Sequence, residues 1–293
     1  MTIMSTQITT AFVEQYSSNV SMLAQQMGSK LRGSVDVETV RGKNAFFDQI
    51  GVTAAVARTT RHGATPQVNT PHSRRRVSLA DFEWADLVDD LDKVRMLVDP
   101  TSSYAKAAAA AMNRSIDDIV IAAFNADAAT GVAGGTTTAL PSSSKFATAQ
   151  QADGLTLAKL LAAKHFFDAG DVDPSIKRYI VCGAKQIQDL LNTTEIKNSD
   201  FNTVKALAQG DINSFLGFEF IMSNRLAFDA THSDDRLCFA YTQDAIKLAI
   251  GADVKAKISE RDDKSYATQV YYSMALGATR MEESKVFQIP CDE

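Results

Sequence analysis

The apolar positions of the chain change period several times, and each change predicts an element. Phe12, Tyr16, Val20, Leu23, Met27 and Leu31 recur at three- or four-residue steps, which predicts an amphipathic helix loosened at its far end by Gly28 and Gly33. Its polar face carries Gln, Ser and Asn rather than the Lys and Arg of a membrane-surface helix, so it needs a protein surface to lie on. From 41 to 81 the period falls to two. Val52, Ala54 and Val56 alternate with smaller or polar residues, 58–70 is polar with Gly63 and Pro66, and Val77 and Leu79 resume the alternation. The pattern predicts two extended strands joined by a long polar tip. A two-stranded ribbon is marginal in water by itself, so this hairpin is expected to order only when docked.

Pro100 followed by Thr101-Ser102-Ser103 is a helix start signal. Ala105, Ala108, Ala109, Met112, Ile116, Ile119, Val120 and Ala123 then share one face, with Lys106, Arg114, Asp117 and Asp118 on the other. The spacing predicts a helix over 104–129, about 39 Å long, ended by Gly131 and a Gly/Thr/Ser-rich loop over 131–144. Shorter elements follow. Helices are predicted over 156–168 and 184–192, and strands over 178–182, 218–222 and 237–241. A helix over 242–250, closed by Gly251, precedes alternating strands over 254–259, 266–278 and 286–289. Strands and helices interleave without a regular βαβ period or an internal repeat, which gives an α+β fold class.

Composition narrows the class. A chain of 293 residues with 45% apolar content buries a substantial core. Its longest apolar stretches, such as 119–124, fall far short of the ~20 residues that span a bilayer, and 1–10 lacks the basic and apolar regions of a secretory signal. Cys182, Cys238 and Cys291 are isolated along the chain and never paired as Cys-x-x-Cys, so they are expected to be reduced thiols.

Charge changes the picture more. The net charge is −5, yet 41–76 holds seven Lys or Arg (Arg41, Lys43, Arg58, Arg61, Arg74, Arg75, Arg76) against one acid, Asp48. The next stretch, 77–100, holds seven acids (Asp81, Glu83, Asp86, Asp89, Asp90, Asp92, Asp99) against Lys93 and Arg95. A basic arm followed by an acidic segment in every copy predicts docking of one copy on the next. The candidate intersubunit contacts are Arg58, Arg61, Arg74, Arg75 and Arg76 on one side. Asp81, Glu83, Asp86, Asp89, Asp90 and Asp92 are their partners on the other.

Enzyme chemistry finds little support. Gly131-Val-Ala-Gly-Gly135 follows a helix rather than a strand and lacks the Gly-Lys-Ser/Thr of a phosphate loop. His62, His72, His165 and His232 are scattered, none at i, i+4 from another ligand, so no metal site is expected. His165, at the edge of an apolar helix face, is expected to be half-buried. The Asp pairs 89–90, 117–118, 234–235 and 262–263 point apart on any regular element and are expected to be solvated. Catalytic, cofactor and metal residues are all assigned as none.

The order of elements resembles the major capsid proteins of tailed bacteriophages, those of the Hong Kong 97 phage fold. Arg178-Tyr-Ile-Val-Cys-Gly-Ala-Lys-Gln-Ile-Gln-Asp-Leu-Leu191 is similar to that family's strand–helix opening of the A-domain, and Leu216-Gly-Phe-Glu-Phe-Ile-Met-Ser-Asn224 to its Gly-Phe strand. Tyr241–Ala249, Gly277-Ala-Thr-Arg280 and Val286-Phe-Gln-Ile289 resemble its C-terminal ending. The resemblance implies an N-terminal arm over 1–40, an E-loop hairpin over 41–81, and a P-domain over 82–154 with its spine helix at 104–129. It implies an A-domain over 155–252 and return strands over 253–293 completing the P-domain sheet. It further implies a shell of hexamers and pentamers enclosing double-stranded DNA without sequence-specific binding. A separate scaffolding protein, a portal and a decoration protein are the further partners, in a virion made in the bacterial cytoplasm. Lys43 and Asn69 match the family's cross-linking residues by type alone, so no covalent linkage is expected. A cellular shell of the encapsulin type and a nucleic-acid-binding module using 58–76 are the alternatives.

Overall fold

A computed structural model of the protein describes residues 24–88, 101–146, 153–192, 214–230 and 232–293. The chain runs through β1 (Asp36–Thr39), β2 (Asn44–Ile50), β3 (His72–Ser78), β4 (Ala80–Val88), α1 (Thr101–Asn125), β5 (Ala128–Thr130) and β6 (Thr136–Thr138). It continues through α2 (Leu157–Ala169), β7 (Arg178–Cys182), α3 (Ala184–Asn192), β8 (Ser214–Phe215), β9 (Phe218–Met222) and β10 (Asp235–Thr242). It closes with β11 (Ile246–Arg261), β12 (Ala267–Arg280) and β13 (Val286–Asp292).

Among the described residues three sheets result, with orders β1-β11-β12-β4, β13-β10-β7-β9-β8 and β2-β3-β5-β6. Long-range pairing builds the first: β1 lies parallel to the start of β11, and β4 runs antiparallel along β12 from Ala80–Leu276 to Val88–Thr268. The small-residue face of α1 lets it approach this framework closely. Met112, Ile116, Val120 and Phe124 are buried in one continuous core with Phe239, Tyr241, Leu248, Ile250, Met274 and Leu276. Phe124 stacks on Phe239 at 5.0 Å between ring centroids and tilts against Tyr241 at 4.6 Å. Each such side chain removed from water contributes ~1.5–3 kcal/mol before conformational entropy is counted. A smaller cluster of Phe47, Val77 and Ala249 fixes the hairpin root to the first sheet.

Several expectations need correction. The 242–250 segment is a tight turn and strand, not a helix. Ala245 N donates to the Thr242 carbonyl, and Ile246, Leu248 and Ile250 are buried between β1 and β12. A buried strand flanked on both sides reads as a continuous apolar run, which imitates a short helix. The hairpin's first strand is Asn44–Ile50, ahead of the Val52-Ala54-Val56 alternation, and Val52 is 98% exposed. Helix α1 stops at Asn125, and Ala128–Thr130 joins the hairpin sheet as β5. The Gly-rich segment after it is the β5–β6 turn. Gly134 there has φ +66°, and a Cβ would meet Arg76 Cδ at 2.6 Å.

The expected N-terminal helix falls largely outside the described residues. Its described end, 24–31, is not helical, because Asp117 on α1 draws that backbone onto itself. The buried Asp117 carboxylate accepts from Gln26 Nε2, Ser29 Oγ and the amides of Lys30 and Leu31. The expected solvation of the 117–118 pair therefore fails for Asp117, while Asp118 holds Arg225 at 2.5–2.6 Å. Asp235 of the 234–235 pair is likewise buried, and His165, expected half-buried, is exposed. Of the strands expected to complete one sheet over 253–293, β11 and β12 do pair in the first sheet, whereas β13 pairs with β10 in the five-stranded one.

Candidate intersubunit surface

The ladder of β2 and β3 runs from Asn44–Ser78 to Ile50–His72, and Gly51 N closes on the Pro71 carbonyl at 2.9 Å. Beyond that bond, every residue from 51 to 72 is exposed. Among the described residues nothing outside the tip covers it, although it displays Val52, Val56 and Val68. Among the described residues Arg58 reaches the Thr60 carbonyl of the same tip, at 3.0 Å, and Arg61 is exposed.

The three consecutive arginines behave differently. Alternation along β3 sends them to opposite faces, so they form no single basic patch. Arg74 forms a fork with Asp48 across the ladder, its Nε 2.5 Å from Oδ1, and lies over the Phe46 ring. That fork lowers the Asp48 pKa below the usual carboxylate range. Arg75 is 7% exposed and turns inward, donating to both oxygens of Glu283 at 2.8–2.9 Å and to the Met281 carbonyl. Arg76 packs over the Gly134 turn, and its buried Nε has no partner among the described residues. Arg75 is thus an internal fastener, contrary to the docking role expected of it, and Arg74 already has a counter-ion.

Arg280 completes the fastening. Fully buried, its guanidinium donates to the Phe124 and Ala126 carbonyls at 2.8 and 3.0 Å and to the Thr138 carbonyl at 3.0 Å. It satisfies orphan carbonyls at the C-terminus of α1, where a cation is also favoured by the helix dipole. Burial lowers its pKa, and Glu283, 3.7 Å from its Nε, opposes that shift. One carboxylate therefore faces both the hairpin root and the end of α1. Sequence reasoning missed Asp48, Glu283 and Asp117; the lone acid inside the basic run was the available sign of Asp48.

On the acidic side, alternation along β4 divides the residues. Phe82, Trp84 and Asp86 face inward, and Asp86 is half-buried with an oxygen accepting from Leu87 N. Asp81 and Glu83 are exposed on the opposite face, Glu83 accepting from Tyr271 Oη at 2.9 Å. Asp81 shares an open cleft with Arg41 and Lys43 of its own chain. Asp89, Asp90 and Asp92 lie outside the described residues. Among the described candidates, Arg58 and Arg61 on the tip and Asp81 and Glu83 on the edge strand are exposed and form no ion pair.

Residues 8–293 match a family model described as phage capsid protein. The chain belongs to the phage capsid protein family. Comparison with curated protein sequences gives no match. Solved structures carry the same fold at low identity. The capsid protein of cyanophage P-SCSP1u superposes with a TM-score of 0.74 at 14% identity, covering 96% of this chain and 93% of that one. That of Ralstonia phage GP4 gives 0.73 at 11%, covering 96% and 95%. The head structure of Helicobacter pylori bacteriophage KHP40 gives 0.68 at 11%, covering 95% of both. This phage capsid protein is a structural subunit of the head shell and resides in the virion. The family match favours that reading over a cellular compartment or a nucleic-acid-binding module.

Proposed function

We propose that the capsid protein assembles by laying the tip of its hairpin on the edge strand of the next copy. Arg58 and Arg61 would then face Asp81 and Glu83 of the neighbour. The observation that carries this is the exposure of every residue from 51 to 72 on a rigidly fastened stalk. The tip displays valines and two bases without an ion pair, and no described residue outside the tip covers them. Each exposed ion pair contributes only ~0–1 kcal/mol. Repetition at several interfaces per subunit makes the shell stable while misplaced copies can still leave.

In this reading 1–40 is an arm, 41–81 the reaching hairpin, 82–154 the domain built on α1, and 155–252 the lobe that packs around hexamer and pentamer axes. The protein has no catalytic role. It is made in the bacterial cytoplasm, encloses double-stranded DNA without reading its sequence, and works with a separate scaffolding protein and a portal. A decoration protein would dock on the finished outer face.

The test uses charge reversal at the tip alone, because substituting Arg75 would also loosen the hairpin root. Arg58→Glu with Arg61→Glu is expected to suppress particle formation in sedimentation, and Asp81→Lys with Glu83→Lys in the same chain to restore it. Normal particles from the first variant at low salt would sink the docking reading.

A further inference from the structure

Away from the intersubunit surface, one group of side chains has the donor set of a metal centre. The loop leading into β10 places Asp229, His232 and Asp235 so that one ligand atom from each lies within 4.8 Å of the other two. Backbone bonds set this arrangement. Asp229 N donates to the Asp235 carbonyl at 2.8 Å, Asp235 N donates to the His232 carbonyl at 3.0 Å, and Phe228 bridges to Arg236.

Exposed acidic groups commonly gather without an ion, and what separates this group is Asp235. It is only 5% exposed, and among the described residues its carboxylate has neither a hydrogen-bond donor nor a cation. The adjacent Arg236 is committed elsewhere, to Glu293 at 2.6 Å, to the Asn224 carbonyl at 2.8 Å and to the Phe228 ring at 4.6 Å. Across the β10–β13 ladder, Asp235 stands directly opposite Asp292, and opposed like charges weaken a sheet. A carboxylate so little exposed and without a counter-charge is costly, and one of its oxygens lies within 4.8 Å of an imidazole nitrogen and of a second carboxylate oxygen. A cation there resolves all of this at once.

We propose that Asp229, His232 and Asp235 bind a first-row divalent cation, with Zn²⁺ the best matched, and that water completes the coordination. One imidazole and two carboxylates form a mixed nitrogen–oxygen set, which suits Zn²⁺ better than Ca²⁺ or Mg²⁺, both of which prefer all-oxygen shells. Bonds near 2.0–2.2 Å place the ligand atoms on one ion roughly 3.3 Å apart, so a small rotation of the exposed His232 side chain closes the site. The ion clamps Asp229 and His232 to the start of β10, beside the end of β13. The proposal does not depend on how copies pack in the shell.

The experiment takes the purified unassembled subunit, strips it with a chelator and titrates it with Zn²⁺ by calorimetry. One ion per chain is expected, together with a rise in the thermal unfolding midpoint in excess Zn²⁺. His232→Ala removes an exposed ligand and is expected to weaken binding by at least about tenfold and to abolish the rise. Asp235→Asn is expected to raise the midpoint of the metal-free protein, by removing the uncompensated charge, and to lose the response to Zn²⁺. His165→Ala, on the exposed side of α2, keeps both binding and rise. No Zn²⁺ bound by the wild type, or equal binding and equal rise in His232→Ala, overturns the proposal.

Discussion

At the scale of single residues, neighbours in sequence do unrelated work. Arg74 and Arg75 differ by one step along β3, yet one lies on the surface with Asp48 and the other is enclosed with Glu283, their side chains 39% and 8% exposed. Removing one partner of an enclosed pair strands the other charge. Arg75→Ala is therefore expected to destabilise the subunit by about 3 kcal/mol, whereas Arg74→Ala leaves the midpoint nearly unchanged; denaturant unfolding of the unassembled subunit checks both. Equal effects would mean that enclosure does not distinguish the two. The run of three arginines was plain in the sequence as a concentration of charge. Its division into a fastener, a surface pair and a packed residue was not, because that depends on which face of β3 each occupies and on a carboxylate 208 positions away.

At the scale of elements, the second half of α1 is tied to distant segments through two charged side chains, its own Asp117 and Arg280 of β12. Asp117 gathers the backbone of 30–31, and Arg280 closes the last turn. Arg280→Ala leaves three carbonyls without their donor and Glu283 with one cation fewer. It is expected to cost about 3–5 kcal/mol, read from denaturant midpoints, and to expose the hairpin root to limited proteolysis. A loss below 1 kcal/mol would show that water replaces the guanidinium without penalty. The strands with clean alternation or β-branched runs, at 178–182 and 218–222, were legible to the residue, as was α3 at 184–192. The 242–250 segment was not, since burial on both faces erases the alternation that marks a strand. The hairpin's first strand was misplaced because its true partners, Phe46 opposite Arg76 and Asp48 opposite Arg74, pair apolar and charged side chains that share no hydropathy pattern.

At the scale of the whole molecule, ion pairs join segments that lie apart in sequence and also brace single elements. Arg32 holds Asp253, and both Lys164 and Arg178 hold Asp168, which keeps the pKa of each aspartate below its ordinary value. A lowered carboxylate pKa in the folded state contributes stability above the unfolded value near ~3.9 and loses it as pH falls below. Burial acts on the alkaline side, pushing the Cys182 thiol up to about 12 from 9.0. The folded state then resists an ionisation that the unfolded chain undergoes, so that contribution is lost as pH rises from 9 towards 12. Denaturant midpoints across pH are expected to be level between these limits and to fall beyond each. A midpoint unchanged down to pH 3 would contradict the acid limb. The overall architecture and shell role were legible from the order of elements, whereas the clustering of Asp229, His232 and Asp235 was not, since their three-residue spacing follows a loop's course and no repeating element.

The register of the first sheet also sets a clock. Asp36 stands beside Lys247, 211 positions later, and the carboxylate that fastens Arg75 is nearly as far from it. At ~5–20 residues per second, a ribosome needs roughly 10–40 s to span that interval. For most of that time the hairpin is already made and has no root. A nascent subunit therefore cannot present a fastened arm to a neighbour until Glu283 has been made, and the fold itself keeps chains short of that point out of a growing shell.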